Sequence, residues 1–129
     1  MMDETDRMVQ MYDTIIEGLR QLSMPAEKQL QKLRGTFVTD ELADDFCTIA
    51  MPCACELLQS GWISKEQYKA LSQIDARLRK MSGYKDKSIW DEKALYEAVE
   101  WAECRKWALD ILEEMQAEPA QGNKRIQGR

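Results

Sequence analysis

The stretch Ser64-Lys65-Glu66-Gln67, followed by Tyr68, Leu71, Ile74, Leu78 and Met81, already commits this chain to helix packing. A serine and a glutamine three residues apart satisfy two orphan backbone amides reciprocally at a helix start. The apolar residues behind them recur at three- and four-residue steps, which lines one side of a helix. The spacing predicts a helix over 65–81, stopped at Ser82 and Gly83. Such a helix cannot bury its stripe alone, so other helices must cover it.

The rest of the chain supplies them. Met8, Tyr12, Ile15, Leu19 and Leu22 predict a first helix over about 5–22, with Thr5 as N-cap and Ser23-Met24-Pro25 as its stop. A short second helix over about 25–34 has Pro25 at its first position and Gly35 as a left-handed C-terminal residue. Thr39, ahead of Asp40 and Glu41, caps a third. Its expected buried side is Leu42, Phe46, Ile49, Cys53 and Leu57, with a kink near residues 48–52 because Pro52 lies inside the pattern and Gly61 as its end. The last helix, about 91–116, is open to a break near Glu97 to Val99. The expected fold class is all-α, a single bundle of five to six helices over residues 1–118.

Composition agrees. Only three prolines and six glycines occur in 129 residues, and Val and Thr are scarce beside Ala, Leu, Glu, Lys, Gln, Arg and Met. The charge is −5 overall, and residues 119–129, read as a disordered tail, contain bases and no acid. Residues 1–118 therefore carry −8, which disfavours nucleic acid or an anionic membrane as partner and favours a basic protein surface. Neither a secretory signal nor a run near the ~20 residues of a membrane span is visible, so a cytoplasmic protein with reduced thiols is expected.

Signals for catalysis are missing. The chain has no histidine, no nucleophile elbow and no phosphate-cradling glycine loop, and it is read as a non-enzyme that needs no cofactor. Cys53 and Cys55, two apart on a helix, point about 200° from each other and cannot share a metal. Cys47, Cys53 and Cys104 read as small packing residues.

Two charges interrupt apolar stripes: Asp75 between Leu71 and Leu78, and Arg105 between Trp101 and Ala108. Either buried alone would be costly, so the two are expected to form a structural ion pair. Trp90 and Trp101 read as core residues, Trp62 and Trp107 as partly exposed interface anchors.

The order Glu66-x-Tyr68, Leu71, Ile74-Asp75, Met81-Ser82-Gly83, Trp90, Ala94-Leu95, Glu100-Trp101, Arg105 and Ala108 resembles small all-helical bacterial immunity proteins of contact-dependent growth inhibition and polymorphic toxin systems. The likeness spans roughly residues 40–115. It implies an intracellular protein that binds one cognate toxin domain, often a nuclease, and occludes its active site; a monomer is expected. The charge reading fits, because an acidic surface complements the basic groove of a nuclease. The expected contact residues are Glu41, Asp44 and Asp45 on the third helix, with Tyr84 and Asp86 on the exposed connection before Ile89. The alternative expectation is a helical adaptor or regulatory subunit in a host assembly. A small DNA-binding regulator is disfavoured by the charge.

Overall fold

The computed structural model describes residues 3–117, so residues 119–129 lie outside the described part. Helix α1 (Glu4–Ser23) begins two residues earlier than Thr5 would cap it: Asp3 is the N-cap, its Oδ1 accepting from the Asp6 amide at 2.9 Å. Helix α2 (Ala26–Lys32) has Pro25 as its N-cap rather than its first residue. It is tied to α1 by the buried Gln29, whose Nε2 donates to the carbonyls of Gln21 and Leu22 at 3.0 and 3.1 Å. Gly35 adopts the expected left-handed conformation, φ 91°.

Helix α3 (Val38–Asp44) starts before Thr39, with Phe37 as N-cap. Val38 and Thr39 are both buried, so Thr39 is an internal packing residue and not a cap. From α3 the chain runs through a π-helical turn (Asp45–Ala50) into α4 (Met51–Gln59). The Met51 amide donates to the Phe46 carbonyl, five residues back. Pro52 explains the wide turn: it offers no amide and its ring crowds the carbonyl four residues earlier, a conflict that a local π-turn relieves.

That turn also rotates the buried face. An extra residue per turn carries Ala50 and Ala54 into the core, where a regular helix would have put Ile49 and Cys53. Ile49 is accordingly 49% exposed, which corrects its expected burial, and Cys53 is half-buried.

Helix α4 ends in a Schellman turn. The Trp62 amide donates to the Leu57 carbonyl at 2.8 Å and the Gly61 amide to that of Leu58 at 3.1 Å, with Gly61 at φ 77°. This folds Trp62 back onto the core, so Trp62 is buried and not the partly exposed anchor expected. Helix α5 (Lys65–Ser82) has the complete capping box, with Ser64 Oγ accepting from the Gln67 amide and Gln67 Oε1 from the Ser64 amide, both at 3.0 Å.

A 3-10 turn (Lys87–Trp90) leads to α6 (Glu92–Glu97) and α7 (Val99–Ala117). Ala98 is extended, φ −81° and ψ 133°, so the last helical stretch is broken within the expected window. With α3, the π-turn and α4 counted as one rod, six helices form an all-α bundle, and no strand occurs among the described residues.

The central layer is α1 against α7 and α4, with α7 also packed on α5. Ile15, Leu19, Ala54, Leu57, Ile74, Leu78, Trp101, Cys104 and Ala108 meet there at 2% exposure or less. Each buried Leu or Ile contributes about 1.5–3 kcal/mol relative to exposure. Tyr12 adds a polar link, its hydroxyl donating to the Met115 carbonyl at 3.3 Å.

Candidate functional site

The 3-10 turn is the hinge of the surface geometry, and three hydrogen bonds hold it. Trp90 Nε1 donates to the Met81 carbonyl at 3.3 Å, and Trp101 Nε1 donates to the Ile89 carbonyl at 2.8 Å. The Thr39 hydroxyl donates to the Trp90 carbonyl. Trp90 meets Trp101 edge to face, 5.7 Å between ring centroids and 84° between planes, and is half-buried against the core where full burial was expected. The turn stands as a ridge between two grooves.

On one side lies a groove of about 490 Å³ whose lining includes Asp40, Glu41, Asp44, Thr48, Arg79, Lys87 and Trp90. Its charges are mixed. Asp44 accepts from the Thr48 hydroxyl at 3.0 Å, Arg79 is held by Asp75, and Lys87 Nζ donates to the Ser82 carbonyl at 3.0 Å.

On the other side lies a groove of about 570 Å³ with a different balance. Among the described residues Asp86, Asp91, Glu97 and Glu100 line it against one base, Lys93, over a floor of Ile89, Ala94 and Ala98. The Tyr84 hydroxyl donates to Glu100 Oε2 at 3.1 Å, and that bond pushes the phenol above its usual range. Asp86 accepts from the Ser88 amide at 3.0 Å, which holds its carboxyl below the usual range. Asp86 therefore stays ionised while it caps the turn.

The five expected contact residues are thus divided among three places. Glu41 and Asp44 share the first groove, Tyr84 and Asp86 share the second. Asp45 lines a third hollow of about 370 Å³ beside Asp13, Glu17 and the exposed Ile49. Burial, then the neighbouring Asp44, pushes the Asp45 carboxyl up, whereas Lys32 holds Glu17 low from 2.9 Å. Asp44 and Asp45 are consecutive on the helix and point about 100° apart around it, so they line different hollows.

Asp91, Glu97 and Glu100 are not among the contact residues expected from the sequence. Asp91 at the start of α6, Glu97 at its end and Glu100 in the first turn of α7 line the one groove, with the extended Ala98 between the two helices.

The expected Asp75–Arg105 pair does not form. Asp75 accepts from Arg79 one turn along α5, Nε to Oδ2 at 3.0 Å, and stands beside Cys47. Arg105 instead donates from Nε to the Met24 carbonyl at 3.0 Å and from Nη2 to the Leu95 carbonyl at 2.8 Å. Those carbonyls belong to the C-terminal ends of α1 and α6, where helix dipoles are negative and a cation is stabilised. Trp107 is half-buried as expected, with Arg77 over its ring at 5.1 Å and Arg77 paired to Glu103.

Among the described residues no cluster of three Cys, Asp or Glu side chains converges to hold a metal ion, and no helix is long and apolar enough to cross a membrane. Cys55 is exposed and Cys53 half-buried; Cys104 is buried, and its thiol is pushed up to about 12 chiefly by that burial. No protein-family model, curated protein or solved structure matches the chain. Its chemistry must be read from the grooves themselves.

Proposed function

We propose that this protein is an immunity protein that binds a basic toxin domain, of nuclease type, and blocks its active site without performing chemistry. The observation that carries this reading is the groove beside the 3-10 turn, where four carboxylates face one lysine over an apolar floor. A nuclease gathers phosphates with a basic groove, and a fixed array of carboxylates on a protein competes for the same field, speeding encounter and excluding the substrate sterically. Tyr84 and Asp86 are the primary contacts in this reading, joined by Asp91, Glu97 and Glu100; Glu41 and Asp44 extend the contact across the ridge, and Asp45 contributes least. We take the protein to act as a monomer in the cytoplasm.

The test is growth rescue. A toxin domain encoded beside this gene is expressed with and without the chain, and rescue is expected with the native sequence. Asp91→Lys with Glu97→Lys, both at exposed positions, should abolish rescue and remove the salt dependence of binding while leaving the helical spectrum intact. Absence of any toxic neighbour, or rescue unaffected by the two reversals, counts against the reading. The second reading, a helical adaptor, is favoured by the exposed apolar side chains of Phe37, Tyr96 and Val99, and it predicts stable co-purification with a host assembly instead.

A further inference from the structure

Away from the acidic grooves, a shelf of about 490 Å³ lies between the end of α1, helix α6 and the middle of α7. Pro25, Tyr96, Ala102 and Leu109 give it an apolar lining, and among the described residues its charged lining is Arg105 and Lys106. On a body of −8, a recess that the described residues line with two cations and no carboxylate is an exception. Lys106 at its rim is met by Asp110 at 3.2 Å. Among the described residues Arg105 is met by no acid: Nε and Nη2 are taken by two backbone carbonyls, and Nη1 has no hydrogen-bond partner among them. Tyr96 and Leu109, 60% and 43% exposed, leave apolar surface uncovered beside that open guanidinium edge.

We propose that this shelf docks an acidic amphipathic segment of another protein, which lays an apolar side chain between Tyr96 and Leu109 and sets a carboxylate on Nη1 of Arg105. A half-buried guanidinium gains more from a carboxylate than a solvated one does, because the bond is charge-assisted and poorly screened. Two bonds to fixed carbonyls hold the side chain in place beforehand, so little freedom is lost on binding. The site is independent of the acidic grooves and of opposite sign, so its partner is not the basic domain proposed above.

The probe is the blocked peptide acetyl-Ser-Glu-Leu-Phe-Ser-amide, titrated into the full 15N-labelled chain and followed by amide shifts. Saturable shifts are expected at Tyr96, Ala102, Arg105 and Leu109, with the Gln-for-Glu peptide binding about 10-fold more weakly. Leu109→Glu puts a carboxylate one turn from Arg105 at an exposed position and should abolish binding with the fold unchanged; Tyr96→Ser should weaken it severalfold. Equal binding of the two peptides, equal shifts from acetate alone, shifts that track protein concentration as in self-association, or no saturable shift at these four residues would each overturn the proposal.

Discussion

The Thr39 hydroxyl donates to the Trp90 carbonyl, joining the first turn of α3 to the ridge between the two grooves across 51 residues of chain. Thr39 is 3% exposed, so the bond is shielded from water. Thr39→Val keeps the shape, removes the donor and strands a carbonyl. A loss of about 1–3 kcal/mol is expected in urea unfolding. Trp90 fluorescence should report local loosening before global unfolding.

Arg105 and Asp75 provide a sharper test. Arg105→Met removes two charged hydrogen bonds that hold the ends of α1 and α6, and should cost about 2–3 kcal/mol. Asp75→Asn breaks a pair whose arginine is 64% exposed, and should cost less than about 1 kcal/mol. The double-mutant cycle is expected to show coupling within about 0.5 kcal/mol of zero. Coupling well above that would mean the two side chains meet in solution.

Gly18 sits inside α1 facing the π-turn. A Cβ there would come no closer than 3.5 Å to Ala50 Cβ and 3.9 Å to Phe46 Cδ1, which is ordinary contact. Gly18→Ala should therefore stabilise the chain by about 0.5–1 kcal/mol, read as a raised melting temperature. A larger residue such as leucine should reverse the sign.

The thiols set an alkaline limit. Burial, with Asp75 second, pushes Cys47 up to about 12 from the usual 9.0, and burial pushes Cys104 to about the same value. Below pH 9 both folded and unfolded chains keep these protons, and stability is unaffected. Above it the unfolded chain releases protons that the folded chain retains, so stability falls as pH rises towards 12, by at most about 1.4 kcal/mol per pH unit for each thiol. Urea midpoints measured across this interval should drop, and less steeply in Cys104→Ala.

The same environments order thiol reactivity. At pH 8 a maleimide should label the exposed Cys55 within minutes and leave Cys104 untouched until the chain unfolds, as mass spectrometry of the labelled peptides would show. Early labelling of Cys104 would indicate that the α1–α7 core opens readily.

Local signals were the legible ones. The box at Ser64 and Gln67, the left-handed Gly35 and the break before Val99 each act through backbone hydrogen bonds within a few residues, and each is found where expected. Gly61 carried more than was read from it: a Schellman turn places the next residue against the helix it ends, and that signal foretold the burial of Trp62. Pro52 announced an irregularity, but a π-turn and a bend differ in phase, and only the former exchanges Ile49 for Ala50. Of the expected contact residues, Tyr84 and Asp86 line one groove because they are near neighbours on one connection, whereas Asp44 and Asp45, about 100° apart around a helix, line two.

Sequence alone determined the helices, their ends within a few residues, and the negative sign of the charge, since these depend on side-chain spacing and on chemistry next door along the chain. Tertiary structure decided which carboxylates share a groove and that Arg105 meets carbonyls from α1 and α6 and not Asp75. The physical reason is that contacts between helices depend on rotational phase and crossing geometry, and one added residue in a turn or one extended residue between helices resets both.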